Sequence, residues 1–341
     1  MKRGVLSLGM VGAGKMAFWH LRAYSRLRRV RVAAICNPES DKGVRLAGKY
    51  GIPRHYKSYG EMLRQEKLDA VDLCVPTGLH APFILQALER GLHVYSEKPL
   101  ALSVEEGERI ADANERVGSV IFNGYNLRTW GPVARLSRVV LSGSLGEIRF
   151  IRMIRTTFEF PGSFMEKPEL NSGIINEFTG HFLDLLQAWK MEEPAEVSCS
   201  GSCILGPYGD PDTVSAYLRY PNGAGVLLHN SLGVPGLTPE IVVIGTRGTA
   251  WLREGKLLLE SLPQAPSISR QVLREFRHAV IPPWRILNNP FNGSTRLFVA
   301  CVLDKRPNPQ DEKAALGSLK LAAHVERAYR AGRSLSYGEK P

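Results

Sequence analysis

Leu8-Gly9-Met10-Val11-Gly12-Ala13-Gly14-Lys15-Met16-Ala17 is the stretch whose reading decides the fold of this chain. An apolar run ends abruptly at Gly12, and helix-forming residues follow from Lys15. The spacing Gly12-x-Gly14-x-x-Ala17 gives each small residue a task. Gly12 permits a tight strand-to-helix turn, Gly14 lets the backbone approach a pyrophosphate, and Ala17 lets the helix pack on the strand. Lys15 and Met16 fall in the first helical turn, where amide donors and the positive end of the helix dipole meet an anion. The turn alone is a weak sign of a dinucleotide, and it gains weight from what lies around it.

Through residue 123, strand-like and helix-like segments alternate. Strands are expected at Val5–Met10, Val30–Cys36, Ala70–Val75, His93–Ser96 and Ser119–Asn123. Helices are expected at Lys15–Leu27, Ser40–Tyr50, Tyr59–Gln65, His80–Arg90 and Val104–Val117. Short apolar strands separated by helices predict right-handed βαβ units on a parallel sheet covered on both faces. After Gly124 the strand-like segments lengthen: Ile148–Thr157, Val197–Leu205, Val214–Tyr220, Gly225–Ser231, Ile241–Ile244 and Ala250–Leu252. Pro221-Asn222-Gly223 reads as a hairpin turn. Helices are expected at Pro132–Leu141, Asn176–Trp189, Ser294–Leu303 and Asp311–Ala331, and Gln264–Asn292 reads as a polar, proline-bearing loop. The fold class is therefore α/β. A doubly wound parallel dinucleotide-type sheet over residues 1–123 precedes an α+β domain over 124–341 with a large, mostly antiparallel open sheet.

Composition narrows the function classes. The 341 residues are 44% hydrophobic and 23% charged, ordinary for a globular protein, and no apolar run is long enough to span a membrane. The basic start runs straight into the first strand and is not read as a signal peptide. Five scattered cysteines, Cys36, Cys74, Cys199, Cys203 and Cys301, make no disulfide framework and fit a reducing, cytoplasmic setting. The net charge of +11 includes a cluster at Arg22, Arg26, Arg28, Arg29 and Arg31, read as a solvated helix end. No nucleic-acid-binding module accompanies it, and no nucleic-acid partner is expected.

Other candidate residues fall after the predicted strands. Asn37, in Cys36-Asn37-Pro38-Glu39, takes the place where an acidic residue would hold the adenosine ribose and repel a 2′-phosphate. An amide there still hydrogen-bonds the ribose, and no arginine follows directly, so NAD is read ahead of NADP. Pro76, Thr77 and His80, in Val75-Pro76-Thr77-Gly78-Leu79-His80, sit in a loop the cofactor would pass, and His80 would cap or orient the next helix. Glu97 and Lys98, in Ser96-Glu97-Lys98-Pro99-Leu100, follow another strand and put an ammonium group beside the reactive part of the cofactor. The Lys98–Pro99 bond is a candidate for a cis peptide. Tyr125, Asn126 and Arg128 offer hydroxyl, amide and guanidinium groups suited to a polyhydroxylated or anionic ligand. Glu177, His181 and Asp184 are spaced i, i+4, i+7, which on one α-helix puts all three on a single face. A metal there is disfavoured for want of a third ligand nearby.

These residues together resemble the Gfo/Idh/MocA family of oxidoreductases. The resemblance runs from Leu8–Gly14 through Val75–His80, Gly91–Pro99, Gly124–Arg128 and Glu177–Asp184 to Asp212-Thr213, Asn222-Gly223-Ala224 and Ile244–Ala250. It implies an N-terminal Rossmann domain that binds NAD or NADP, and a C-terminal domain that binds substrate and makes homodimer or homotetramer contacts through its sheet. It implies that Lys98 and His181 are catalytic, with Glu177 beside them. The family often has aspartate where Glu177 stands and glycine where Thr179 stands. The expected reaction is hydride transfer between a secondary alcohol of a sugar or cyclitol and nicotinamide. His181 would be the general base, Lys98 would steady the oxygen, and Glu177, Asp184, Tyr125, Asn126 and Arg128 would hold the substrate. Two rival readings are a glycosidase using transient oxidation and elimination with tightly held NAD, and a cofactor-binding sensor or partner subunit without turnover.

Overall fold

A computed structural model describes residues 4–157, 167, 169–205, 211–234, 239–261 and 290–339. The chain divides into two units. The first takes the described residues of 1–129, 169–172 and 289–319, and the second those of 130–168, 173–288 and 320–341. The segments interleave, whereas the sequence reading drew one boundary between 123 and 124.

The first unit is built on a six-stranded sheet of β1 (Leu6–Val11), β2 (Val30–Cys36), β3 (Arg54–Tyr56), β4 (Ala70–Leu73), β5 (His93–Ser96) and β6 (Ile121–Asn123). Its order is β3-β2-β1-β4-β5-β6, and its neighbouring strands pair in parallel. This is the doubly wound order, with the chain reversing direction across the sheet between β1 and β4. One face packs against α1 (Lys15–Tyr24) and α8 (Phe291–Leu303), through Ala17, Leu21 and Tyr24 of α1 and Phe298, Val299 and Val302 of α8. The other face takes α3 (Tyr59–Gln65), α4 (His80–Leu88), α5 (Val104–Val117) and the start of α9 (Glu312–Ala331), through Met62, Ile84, Ile110 and Leu319. Each large apolar side chain so buried contributes about 1.5–3 kcal/mol. Local signals fix the helix limits. Ser103 accepts the Glu106 amide at 3.3 Å to open α5, and Gly118 closes it at φ +71°. The sequence reading missed β3, whose Arg54-His55-Tyr56 is too short and polar to signal a strand.

The second unit is built on an eight-stranded sheet. Its strands are β7 (Ile148–Thr156), β8 (Glu196–Ser202), β9 (Thr213–Arg219), β10 (Gly225–Ser231), β11 (Glu240–Gly245), β12 (Gly248–Arg253), β13 (Lys256–Ser261) and β14 (Leu335–Ser336), in the order β13-β12-β11-β7-β10-β9-β8-β14. Among the described residues of this sheet, only β7 and β10 pair in parallel. Pro221-Asn222-Gly223 makes the expected hairpin, with Gly223 at φ +81°. Alternation is clean along β9, where Val214, Ala216 and Leu218 are buried and Tyr217 and Arg219 are exposed. The registers Leu258↔Trp251↔Val242↔Arg152↔Leu227↔Tyr217 run as one row across the opposite face from this core. Trp251 is 40% and Leu258 60% exposed. β13 and β14 were not foreseen. Of the expected loop Gln264–Asn292, residues 264–289 lie outside the described residues, and Phe291 and Asn292 open α8. No helix among the described residues is long and apolar enough to cross a membrane.

Candidate active site

In the first unit, the candidate residues fall at the carboxyl ends of β1, β2, β4, β5 and β6, the edge at which doubly wound sheets bind ligands. Gly12 has φ +100°, and a Cβ there would run into the Cys74 carbonyl at the end of β4, so only glycine fits between the two strand ends. Gly14 precedes α1 at φ −83°, is exposed, and a Cβ on it would meet nothing within 4 Å. The first-turn amides of Lys15, Met16 and Ala17 have no acceptor within their own helix. An open glycine cradle over a helix N-terminus is what a dinucleotide pyrophosphate requires, so these residues fit the cofactor.

Asn37 turns its amide to the Glu39 carbonyl at 2.8 Å. Pro76 leads into a 3-10 turn, Thr77–Leu79, with Thr77 buried. His80 does not cap α4 with its side chain. Its ring lies between two backbone carbonyls, with Nδ1 2.7 Å from Pro99 O and Nε2 3.0 Å from Val75 O. It thereby ties the loop after β4 to the residue after Lys98.

The Lys98–Pro99 bond is cis, as expected. The Glu97 amide donates to Leu73 O at 3.0 Å, and the Lys98 amide donates to Glu97 Oε2 at 3.3 Å. Gly124 fits closely against Glu97: a Cβ at 124 would lie 3.1 Å from Oε1. Tyr125 departs from its expected place, because its ring is packed in the core with Leu100, Ile110 and Ile121. Asn126 opens a short 3-10 turn, and Arg128 donates to Pro309 O at 2.6 Å.

In the second unit, Glu177 and His181 do not lie on one continuous α-helix. Ile175–Thr179 forms a π turn, and α7 begins only at Gly180 and runs to Ala188. The wider turn alters the phase between Glu177 and the pair His181 and Asp184. π turns occur often at functional positions. Glu177, His181 and Asp184 are all buried. Asn230 of β10 donates to Thr179 Oγ1 at 3.1 Å, pinning the end of the π turn.

Sequence reasoning missed Asn230, and it also missed a buried polar cluster beneath Glu97. His20 of α1 has Nδ1 2.8 Å from Asp72 Oδ2 and Nε2 3.0 Å from Glu97 Oε1. The available signal was a histidine on the inward face of α1, with Leu21 and Tyr24, and an aspartate inside the apolar run Ala70–Leu73. His20, Asp72 and Cys74 are the one group among the described residues with metal-ligand atoms close enough to share an ion. The 2.8 Å separation of Nδ1 and Oδ2 is that of a hydrogen bond, and it engages the very atoms an ion would need.

A family model described as an oxidoreductase family with an NAD-binding Rossmann fold matches residues 6–125, and a GFO/IDH/MocA C-terminal domain model matches 133–251. The chain is 26% identical over 248 residues to myo-inositol 2-dehydrogenase of Thermotoga maritima, covering 71% of this chain and 74% of that protein. It is 25% identical over 250 residues to scyllo-inositol 2-dehydrogenase (NAD(+)) of Bacillus subtilis, covering 71% and 72%. In structure it is similar to the WlbA dehydrogenase of Bordetella pertussis, solved with NADH and UDP-GlcNAcA. The TM-score is 0.85 at 21% identity, over 100% of this chain and 99% of that one.

Proposed function

Because this chain belongs to the Gfo/Idh/MocA family of oxidoreductases, we propose that it catalyses reversible hydride transfer between a secondary alcohol of a sugar, sugar derivative or cyclitol and NAD, with NADP second. The observation that carries the reading is Lys98. It stands at the carboxyl end of β5, on the strand edge that bears the glycine cradle, with Glu97 and Pro99 each held by a buried histidine.

When bound, the nicotinamide ring supplies the acceptor or donor of the hydride. The chain's own residues handle binding and the proton. Gly12, Gly14 and the first-turn amides of Lys15, Met16 and Ala17 receive the pyrophosphate. Asn37 serves the adenosine ribose, and its neutral amide does not repel a 2′-phosphate as a carboxylate would. Pro76 and Thr77 line the path between β4 and α4. His181 takes the proton from the substrate hydroxyl, within about 3 Å in the reactive pose. Lys98 donates a hydrogen bond to that oxygen and steadies the charge that develops there. Glu177 orients His181 or binds a neighbouring hydroxyl, and Asp184, Asn126 and Arg128 serve other polar groups of the substrate. Tyr125, with its ring in the core, supports the loop that carries Asn126.

Naming of the relatives as inositol dehydrogenases supports net redox chemistry on a cyclitol and favours neither the glycosidase nor the sensor reading. The exposed apolar side chains Leu258, Trp251 and Tyr217 in the row across the second sheet support a homodimer or homotetramer formed through it. The test of function is a panel of polyols, sugars and nucleotide sugars with NAD and NADP separately, read as absorbance of the reduced nicotinamide. Lys98→Ala should lower turnover on the best substrate by about 10²-fold or more while NADH binding changes little. Near-normal turnover in that variant would overturn the assignment.

A further inference from the structure

Both neighbours of Lys98 are gripped by buried imidazoles, and the grip on Glu97 is made by charged groups. His20 is fully enclosed. Its Nδ1 faces Asp72 Oδ2 at 2.8 Å and Oδ1 at 3.1 Å, and its Nε2 faces Glu97 Oε1 at 3.0 Å. Asp72 also accepts from the Tyr24 hydroxyl at 2.8 Å and the Cys74 thiol at 3.4 Å. The ring packs edge-on against Tyr95, with centroids 4.8 Å apart, and beside Phe291 at 5.0 Å. Three ionisable groups this deeply buried are costly to assemble, and an apolar trio of the same volume would serve stability as well or better. The cluster is therefore better explained by what it holds in place than by stability.

An ionised carboxylate only accepts, so with Asp72 and Glu97 both ionised the ring between them carries a proton on both nitrogens. Burial, the largest single influence, opposes that charge, but Asp72, Cys74 and Tyr95 together outweigh it and hold the His20 pKa well above the ordinary histidine value. The titratable groups around the ring are Tyr24 on α1, Asp72 and Cys74 at β4, and Tyr95 and Glu97 at β5.

We propose that His20 is a positioning residue for Lys98: as an imidazolium it ties Asp72 to Glu97, and so fixes the Glu97–Lys98 peptide from which the lysine reaches substrate. Glu97 transmits the constraint, because its Oε2 accepts the Lys98 amide at 3.3 Å while its Oε1 is held by His20. His80 holds Pro99 from the other side. The role at the substrate rests on the function proposed above; the anchoring of the Lys98 backbone does not.

The test uses full-length wild type, His20→Gln, Glu97→Gln and the double variant. Amide hydrogen exchange at Lys98, and nitrogen NMR of the His20 ring, need no substrate. Both ring nitrogens should be protonated beyond the ordinary histidine titration range, and His20→Gln should speed Lys98 exchange while α2 (Ser40–Tyr50) stays protected. In turnover assays either single variant should lose about tenfold or more in kcat, with KM and NADH affinity little changed. The double variant should recover part of the loss, because the amide at 20 can donate to Asp72 while its oxygen accepts from the amide at 97, whereas beside the Glu97 carboxylate that oxygen meets another acceptor. If His20→Gln does not fold, Glu97→Gln reads the same link, since it keeps shape and removes one charge. Unchanged Lys98 exchange, a singly protonated ring near neutral pH, or wild-type kcat in the single variants would each overturn the proposal. A wild type that oxidises nothing in the panel would instead count against the function, and the exchange and NMR results would still decide the anchoring.

Discussion

Gly12 and Gly14 are two positions apart, and alanine at each should produce opposite profiles. At Gly12 the backbone sits at φ +100°, where a side chain is strained, and the new methyl would run into the Cys74 carbonyl. The strain is worth about 1–3 kcal/mol. Pushing β4 away from β1 costs about another 1–3 kcal/mol, since it overpacks a tight contact. Together they make roughly 2–6 kcal/mol, which at about 2–4 °C per kcal/mol lowers the melting temperature by roughly 4–24 °C. At Gly14, φ is −83° and a Cβ would meet nothing within 4 Å. Alanine is a poorer residue than glycine at this helix-start position, so Gly14→Ala should cost about 1 kcal/mol or less. Its methyl would, however, stand where the pyrophosphate approaches. NADH affinity should fall by at least about tenfold, equivalent to about 1.4 kcal/mol. Thermal denaturation and NADH fluorescence titration on the two purified variants separate the effects. Gly14→Ala that binds NADH like the wild type would refute the cradle. Gly12→Ala with an unchanged melting temperature would refute the close approach of β1 and β4.

Three further outcomes are expected. The Cys36 thiol is raised from 9.0 to about 11, first by burial and then by Glu61. A raised pKa means that the folded state holds the proton more tightly, so this contribution is intact below about pH 9 and is lost as pH climbs toward 11. Urea midpoints should therefore drop less steeply in Cys36→Ala than in wild type over that interval, and parallel curves would contradict it. On the second sheet, Trp251→Glu with Leu258→Glu should yield a smaller particle than wild type by light scattering on a sizing column. An unchanged mass would exclude that face as the contact. Asn230→Ala removes the amide that reaches the Thr179 hydroxyl and should destabilise by about 1–2 kcal/mol. It should also weaken substrate binding through the π turn, and calorimetry with kinetics would detect either loss.

The parallel sheet was legible because each of its strands but β3 is a short apolar run and most are bounded by turn or cap residues. The glycine turn and the residues after β5 were legible because each has its own local chemistry. Among the features that were not, three are instructive. β3 is a three-residue edge strand made by pairing Ala34, Ile35 and Cys36 with Arg54, His55 and Tyr56, and such pairing leaves no periodicity. The π turn at Ile175–Thr179 breaks a helical pattern that Leu183, Leu185 and Leu186 otherwise sustain, and nothing in the residue types marks the extra residue. Tyr125 carries a hydroxyl that suggested a ligand contact, yet its ring faced apolar neighbours from α5 and β6 and was taken into the core.

The same reasoning explains why Lys98 could be picked out while its support could not. A lysine between a buried strand and a proline is unusual by itself, so local sequence flags it. His20 carries only the weak local signal of an inward position on α1, because its meaning depends on Asp72 and Glu97, which lie 52 and 77 positions further along the chain. Until those carboxylates are placed, a histidine on the inward face of α1 is indistinguishable from one that is neutral and merely packed. Once they are placed, a ring held between two ionised carboxylates is a donor at both nitrogens and so carries a charge. The groups easiest to read in sequence are thus those that meet the ligand, and the groups that hold them still become readable only when the sheet has brought β4, β5 and α1 together.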